Sequence, residues 1–324
     1  MSSQASRSII DDLGLAPEMT RLQDAIRSWV ARADPEMQDA LRWQFDSGSK
    51  YFRPFTLFSC HRAMSPAPIS SGLINSALAV ELFHNVSLII DDIVDRSDER
   101  RGKATLHRRF GELQALMASG YIVAAGYEIV SSPDSYDEND AQDAALLRLN
   151  VRLLSELMKR LGVAECMQWR LRRRPLGVED WRVIAGEDTG SMFEVCACLG
   201  TRSEALRQFG RLLGMLYHGC DDVGDVRGAQ ALGGGGQEDL RDGILTLPAA
   251  LAIRDPALRD IFCKPERSDR DLETLAQAFA ARLDEAERVL DQLAQEARDQ
   301  ARRLAPNPSP LLALIDHTRQ LSAR

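Results

Sequence analysis

The sequence predicts a single all-α domain, a bundle of about ten or more helices around a central cavity. Three observations carry that expectation. Nearly every stretch of the 324 residues repeats its apolar positions at the helical period, and no segment alternates convincingly as a strand would. Two long segments, 71–95 and 203–228, are apolar on most faces and therefore belong in the interior. Each carries an acidic box at or near its end: Asp91-Asp92-Ile93-Val94-Asp95 in the first, Asp221-Asp222-Val223-Gly224-Asp225 in the second.

Taken in order, residues 1–16 are expected to be a flexible N-terminus, with the folded domain occupying 17–324. Helical periodicity covers 17–33, 35–46 and 53–64, interrupted at Gly48 and stopped by Pro66 and Pro68. The first long apolar helix follows at 71–95 and ends ahead of Gly102. Helices at 111–131 and 140–162 flank the acidic loop 132–140. Pro175 and Gly177 separate these from a helix at 178–199, and the second long apolar helix runs over 203–228. The run Gly233–Gly236 breaks the chain before 246–254. An amphipathic, charged helix at 268–304 packs its Leu and Ala positions on the bundle, and a last helix starts at 309 beyond Pro306 and Pro308.

Composition narrows the function. An apolar fraction of 44% is ample for a core, and 40 basic against 48 acidic residues leave a net charge of −8. A general nucleic-acid surface wants the opposite sign, so nucleic acid is not an expected partner. Cys60, Cys166, Cys196, Cys198, Cys220 and Cys263 have neither disulfide-framework nor zinc spacing and read as reduced, mostly buried thiols. The start of the chain has no leader pattern, since Ser8–Leu15 is short and contains Asp11 and Asp12. Without a run of about 18 apolar residues, no membrane span is expected, and the chain reads as cytoplasmic.

The chemistry concentrates at the boxes. On a helix, residues i, i+1 and i+4 bring two or three carboxylates to one side. Carboxylates gathered in this way repel unless divalent cations lie among them, and hard oxygen ligands suit Mg²⁺, which completes its shell with water and phosphate oxygens. The sequence therefore proposes a diphosphate held by magnesium between two acidic helices. His84 lies seven residues before Asp91, close to two turns, on the same face but deeper. Arg100-Arg101-Gly102 suggests a turn that aims two guanidinium forks at phosphates, and Lys50 and Arg53 open the helix at 53.

Together these pieces resemble the trans-isoprenyl diphosphate synthases, the polyprenyl synthetase family, over roughly residues 40–320. The most specific run is Glu81-Leu82-Phe83-His84-Asn85-Val86-Ser87-Leu88-Ile89-Ile90-Asp91-Asp92-Ile93-Val94-Asp95, followed by Arg100-Arg101-Gly102. Asp239-Leu240-Arg241-Asp242-Gly243-Ile244-Leu245-Thr246-Leu247-Pro248 is similar to the sequel of the family's second box. The resemblance implies an isoprenoid synthase-type bundle, usually a homodimer. It implies about three Mg²⁺ ions that help ionise an allylic diphosphate, whose cation then couples to isopentenyl diphosphate. By position, Asp91, Asp95 and Asp221 would be direct magnesium ligands and the catalytic carboxylates, with Asp92, Asp222 and Asp225 supporting them. Lys50, Arg53, His84 and Arg101 match the isopentenyl diphosphate pocket, and Arg100 matches the arginine that grips the allylic diphosphate. Thr189 and His218 occupy further substrate positions.

The departures from the family fall on the allylic side. The family's lysines for the allylic diphosphate are replaced by Asp188, by the Gly233–Gly236 loop and by Ile244. His218 stands where glutamine is usual, Gly224 where a bulky apolar residue is usual, and Ile90 where histidine is frequent. A charge pair at about 5 Å with effective dielectric near 20 is worth roughly 3 kcal/mol, so three missing lysines would impair ordinary ionisation unless something offsets them. Arg170, Arg172, Arg173 and Arg174 form a basic turn that is either a solvated loop or that compensation, and Asp188 is a candidate extra metal ligand.

Three activities fit: a chain-elongating prenyltransferase, a terpene synthase that ionises one prenyl diphosphate, and a non-catalytic partner subunit of a prenyl synthase. The intact isopentenyl diphosphate residues and intact boxes favour the first. Val86 and Ser87 are small for a floor beneath the first box, so Phe83, with Tyr121 and Tyr127 contributing, is the expected obstacle to a product of about C15 to C25. His61, His107 and His317 read as structural or solvated.

Overall fold

The computed structural model describes residues 4–46, 49–132, 141–228 and 236–323. Gly48, most of the expected acidic loop (133–140) and Gly233 to Gly235 lie outside the described residues. The all-α class expected from periodicity is what the chain forms, with seventeen α-helices among the described residues. They gather into two compact units: residues 1–158 with 195–205, and residues 159–194 with 206–324. Helices α8 (Ala141–Leu171) and α10 (Thr189–Thr201) each pass from one unit into the other without a break, so no linker separates two sequential domains.

In the first unit α1 (Gln4–Asp12) forms where a flexible terminus was expected, because Ile9, Ile10 and Leu15 are buried and pin it. Then come α2 (Ala16–Arg32), α3 (Pro35–Phe45), α4 (Phe52–Met64) and the 24-residue α5 (Ser71–Val94). The Ser70 hydroxyl caps α5 by accepting from the Leu73 N–H, and fifteen of the helix's residues are buried. Its apolar faces are covered by α4 and by α7 (Glu112–Val130), preceded by the short α6 (Leu106–Phe110). By length and composition α5 and α7 are apolar enough to cross a membrane, contrary to the expectation that no such run exists. Burial of 78% of the α5 window reads as a core helix; α7 shows Leu113, Leu116 and Met117 on its outer face.

The second unit contains α9 (Val178–Glu187), α11 (Arg207–Val226), α12 (Gly236–Asp242), α13 (Leu247–Ala252), α14 (Pro256–Phe262), α15 (Asp269–Ala280), α16 (Leu283–Leu304) and α17 (Ser309–Arg319). Here α11 is central, lying against α9, α13, α16 and α17. The stretch read as one helix over 178–199 breaks at Asp188, whose ψ of −100° leaves the helical region. α12 and α14 were not expected. α14 starts from a local signal the periodicity hid, Asp255 accepting from the Ala257 N–H ahead of Pro256. The expected 268–304 helix is two helices, and Ser268 caps the first through a box with Asp271.

Candidate active site

In the first unit α5 delivers Asp91, Asp92 and Asp95 at its C-terminal end, with His84 two turns earlier. Asp92 is 2% exposed, and Arg100 Nε donates to its Oδ1 at 2.7 Å. Burial raises the Asp92 carboxyl, with Arg100 pulling the other way. Arg100 is carried on a small hairpin, β1 (Glu99–Arg100) paired antiparallel with β2 (Lys103–Ala104). The two-residue loop Arg101-Gly102 has φ of +55° and +73°, the twist of a type I′ turn. The arginine turn is thus real, but it divides its arginines. Arg100, expected to grip the allylic diphosphate, is turned onto Asp92.

Arg101 takes the other side. With Ser49, Tyr51, Glu81, His84 and Asn85 it lines one small cavity. Arg53 Nη1 lies 3.1 Å from His84 Nε2, so two of the four residues expected at the isopentenyl diphosphate pocket touch. Burial first, then the positive charges of Arg53, Arg101, Arg100 and Lys50, push His84 well below its usual range. A guanidinium only donates, so His84 Nε2 accepts and the neutral ring carries its proton on Nδ1. That Nδ1 is buried and makes no hydrogen bond among the described residues, which suits it to donate to a phosphate oxygen. Glu81, 2% exposed and accepting from the Ser49 hydroxyl at 3.0 Å, is the anion that offsets the local arginines.

In the second unit α11 carries Asp221, Asp222 and Asp225. Asp222 is 7% exposed, and its Oδ2 accepts from Trp181 Nε1 at 2.8 Å and from the Leu247 backbone N–H at 2.8 Å. One turn earlier, His218 Nε2 lies 3.8 Å from Asp222 Oδ1, and its Nδ1 sits 3.0 Å from the Thr189 hydroxyl and 3.3 Å from Asp188 Oδ2. Burial alone would lower this imidazole, but Asp222, Asp188 and Asp221 outweigh it and push it up to about 9. His218 is therefore a cation among carboxylates, and Asp188, a candidate metal ligand from sequence, is its partner. Burial, and then the charges of Asp222, Asp225 and Asp221, push Asp239 up to about 8. The crowding of negative charge around α11 is what a divalent cation would relieve.

Sequence reading missed the clamp that shapes this end. Arg160 on α8 reaches Glu187 at 3.0 Å and the buried Glu194 at 2.7 Å, while Arg211 on α11 reaches the same two at 3.0 and 2.8 Å. Arg207 adds a further contact to Glu194 at 3.2 Å. Glu187 and Glu194 flank Asp188-Thr189, so the network fixes the helix break that presents both residues to His218. Arg207 and Arg211, one turn apart at the start of α11, were the signal in the sequence.

The six box carboxylates offer hard oxygen donors, and Asp91, Asp221 and Asp225 each bury an Oδ1. Among the described residues no three His, Cys, Asp or Glu side chains form a ready-made cage. The oxygen donors of the boxes suit Mg²⁺, which takes one or two carboxylates and leaves the rest of its shell to water and phosphate.

Residues 34–280 match the sequence profile of the polyprenyl synthetase family. The chain belongs to that family. It is a prenyltransferase by that membership, and its relatives agree. It is 28% identical over 272 residues to geranylgeranyl pyrophosphate synthase 4 of Arabidopsis thaliana, covering 75% of this chain and 70% of that one. It is 25% identical over 323 residues to the nonaprenyl diphosphate synthase of Mycobacterium tuberculosis, covering 93% and 91%. In structure it is similar to a polyprenyl synthase from Caulobacter crescentus, solved with calcium and isoprenyl diphosphate (TM-score 0.81, 22% identity, 100% and 99% covered).

For a polyprenyl synthetase, the ground beneath the first box matters. Phe83 is fully buried, its ring 5.4 Å from that of Tyr127. The ring can approach α7 this closely because position 126 is glycine: a Cβ there would sit 2.7 Å from Phe83 Cε1. Tyr121 has another place, packed on Trp29 with its hydroxyl accepting from the Asp34 N–H. His61 and His107 are satisfied locally, by Ala67 O at 2.9 Å and the Thr105 hydroxyl at 3.1 Å.

Proposed function

We propose that this chain condenses an allylic prenyl diphosphate with isopentenyl diphosphate to give a longer linear prenyl diphosphate of about C15 to C25. The observation that carries the reading is the first-unit cavity, where Arg101 and a neutral His84 held by Arg53 face one small space. Those donors suit the diphosphate of isopentenyl diphosphate, with Lys50 supplying further positive charge. Asp91, Asp95 and Asp221 are the carboxylates that would hold magnesium, about three ions with the substrate, and Asp92, Asp222 and Asp225 support them. When bound, Mg²⁺ neutralises the leaving diphosphate. The calcium in the Caulobacter protein supports a divalent ion here too.

On the allylic side, the charged His218, with Thr189 beside it, would supply positive charge toward the diphosphate where the family's lysines are missing. The apolar residues around Phe83 shelter the growing chain from water. Leu113, Leu116 and Met117 on α7 suit burial against a second copy, which supports a homodimer. Six free thiols suit a reducing, cytoplasmic setting.

The test incubates the purified chain with Mg²⁺ and each of the C5, C10, C15 and C20 allylic diphosphates, with and without isopentenyl diphosphate, and reads products by mass spectrometry. A longer diphosphate formed only with isopentenyl diphosphate is the expected result. A hydrocarbon or alcohol formed without it, and lost in Asp91→Ala, would replace the proposal with a terpene synthase.

A further inference from the structure

The basic turn Arg170–Arg174 has a counterpart that the sequence did not reveal. Arg173 occupies the left-handed region at φ +58°, and its backbone N–H donates to Gly243 O at 2.8 Å. Its side chain lies along Gly243, where a Cβ would come within 2.5 Å of Arg173 Cγ and 3.2 Å of Arg267 Nη2. Two guanidinium-bearing side chains therefore converge on the α-carbon of one glycine, itself at φ +74°.

Among the described residues neither is held by a carboxylate. Arg173 Nη1 donates to Pro265 O at 2.8 Å, and Arg267 Nη2 donates to Arg241 O. Arg173 Nε and Arg267 Nη1 are buried and make no hydrogen bond among the described residues. The two carboxylates whose charge reaches Arg267 are already engaged. Asp242 is 3.2 Å from Arg241 and 3.8 Å from Arg172, and Asp271 is 2.8 Å from Lys264 and also bonds the Ser268 hydroxyl and N–H. Arg172 is further braced on the Trp169 ring, 3.6 Å from its centroid. Half-buried guanidinium groups anchored on carbonyls, with no carboxylate bonded to either among the described residues, recur where phosphoryl oxygens bind.

We propose that Arg173 and Arg267, meeting over Gly243, form a binding site for a phosphoryl anion: a free diphosphate or the headgroup of a prenyl diphosphate. The site stands on this geometry alone; only the prenyl headgroup as its occupant rests on the prenyltransferase reading above.

The full chain is titrated calorimetrically with inorganic diphosphate in EDTA, which removes metal-dependent binding at the acidic boxes. The variant Arg53→Gln/Arg101→Gln, lacking the first-unit donors, is expected to retain a binding isotherm. Adding Arg173→Gln/Arg267→Gln is expected to weaken it by at least about tenfold, while Arg173→Lys/Arg267→Lys restores part of the loss, because charge remains but the fork does not. Circular dichroism melts confirm that each variant is folded. A parallel titration with the non-ionising farnesyl thiodiphosphate identifies the source: tighter binding than inorganic diphosphate names the prenyl headgroup, equal or weaker binding the free anion. An affinity unchanged by neutralising Arg173 and Arg267, or an Arg53→Gln/Arg101→Gln variant that binds no diphosphate, overturns the site. Absence of prenyl transfer would count against the proposed reaction and leave this titration readable.

Discussion

Trp181 donates its indole N–H to Oδ2 of Asp222 across 2.8 Å, and the Leu247 N–H ends on the same oxygen. One carboxylate thereby ties α9 and the start of α13 to the acidic end of α11. The first box is built on the same plan, since Asp92 is buried and takes Arg100 Nε at 2.7 Å. In both boxes the second aspartate is anchored by a protein donor.

Trp181→Phe keeps most of the ring volume and deletes one donor to a buried carboxylate. The expected cost is about 1–3 kcal/mol in urea unfolding. Loosening Asp222 is also expected to raise the Mg²⁺ concentration needed for half-maximal prenyl transfer. An unchanged magnesium requirement would show that Asp222 does not set the geometry of its box.

His84 makes the first unit sensitive to acid. Its folded pKa lies well below the unfolded value of about 6.5, so below that pH the unfolded chain binds a proton that the folded chain refuses. Protonation favours unfolding, and stability is expected to fall as pH drops from about 6.5 toward the folded pKa. His84→Gln offers Arg53 an acceptor without titrating, so its urea midpoint should vary less between pH 7.5 and 5.5 than that of the wild type (two buffer settings about 2 units apart). Parallel curves for the two proteins would remove His84 as the cause.

Glu194 is 3% exposed and accepts from Arg160, Arg207 and Arg211. Removing its charge leaves three partly buried guanidinium groups without their shared anion, a loss of roughly 3–5 kcal/mol for a broken buried network. Glu194→Gln is expected to lower the unfolding midpoint accordingly. It should also weaken activity through the shifted Asp188-Thr189 break. A change within about 0.5 kcal/mol would mean that Glu187 alone carries the clamp.

What was legible in the sequence follows from what each signal measures. Periodicity and the two boxes depend on residue type at fixed local spacing, so the all-α class, α5 and α11 were readable, while the pairing of His84 with the arginines came from the family resemblance. Trp181 was not, because its bond to Asp222 spans 41 residues and nothing around it departs from an ordinary amphipathic helix. The Arg173–Arg267 convergence spans still more chain and depends on a glycine whose small size matters only once both arginines arrive. Asp188 was read as a missing lysine; its partnership with His218 joins two departures that looked separate along the chain.

Phe83 and Gly126 give the final prediction, because they oppose each other across one contact. Phe83→Ala removes a fully buried ring beneath the first box and is expected to lengthen the product while costing about 3–5 kcal/mol of stability. Gly126→Ala does the reverse. Its Cβ would lie 2.7 Å from Phe83 Cε1, so the ring must move, at about 1–3 kcal/mol, and α7 itself gains a methyl there. The space beside the ring shrinks, and a shorter product is expected. Product lengths from both variants are compared by mass spectrometry below their melting midpoints, with isopentenyl diphosphate in excess. Opposite shifts would make the Phe83–Gly126 contact the floor of the chain pocket. Identical profiles in both would move the floor elsewhere on α5 or α7, with Tyr127 the next residue to change, since its ring already lies against Phe83 and its hydroxyl is tied to Ser155 at 3.2 Å.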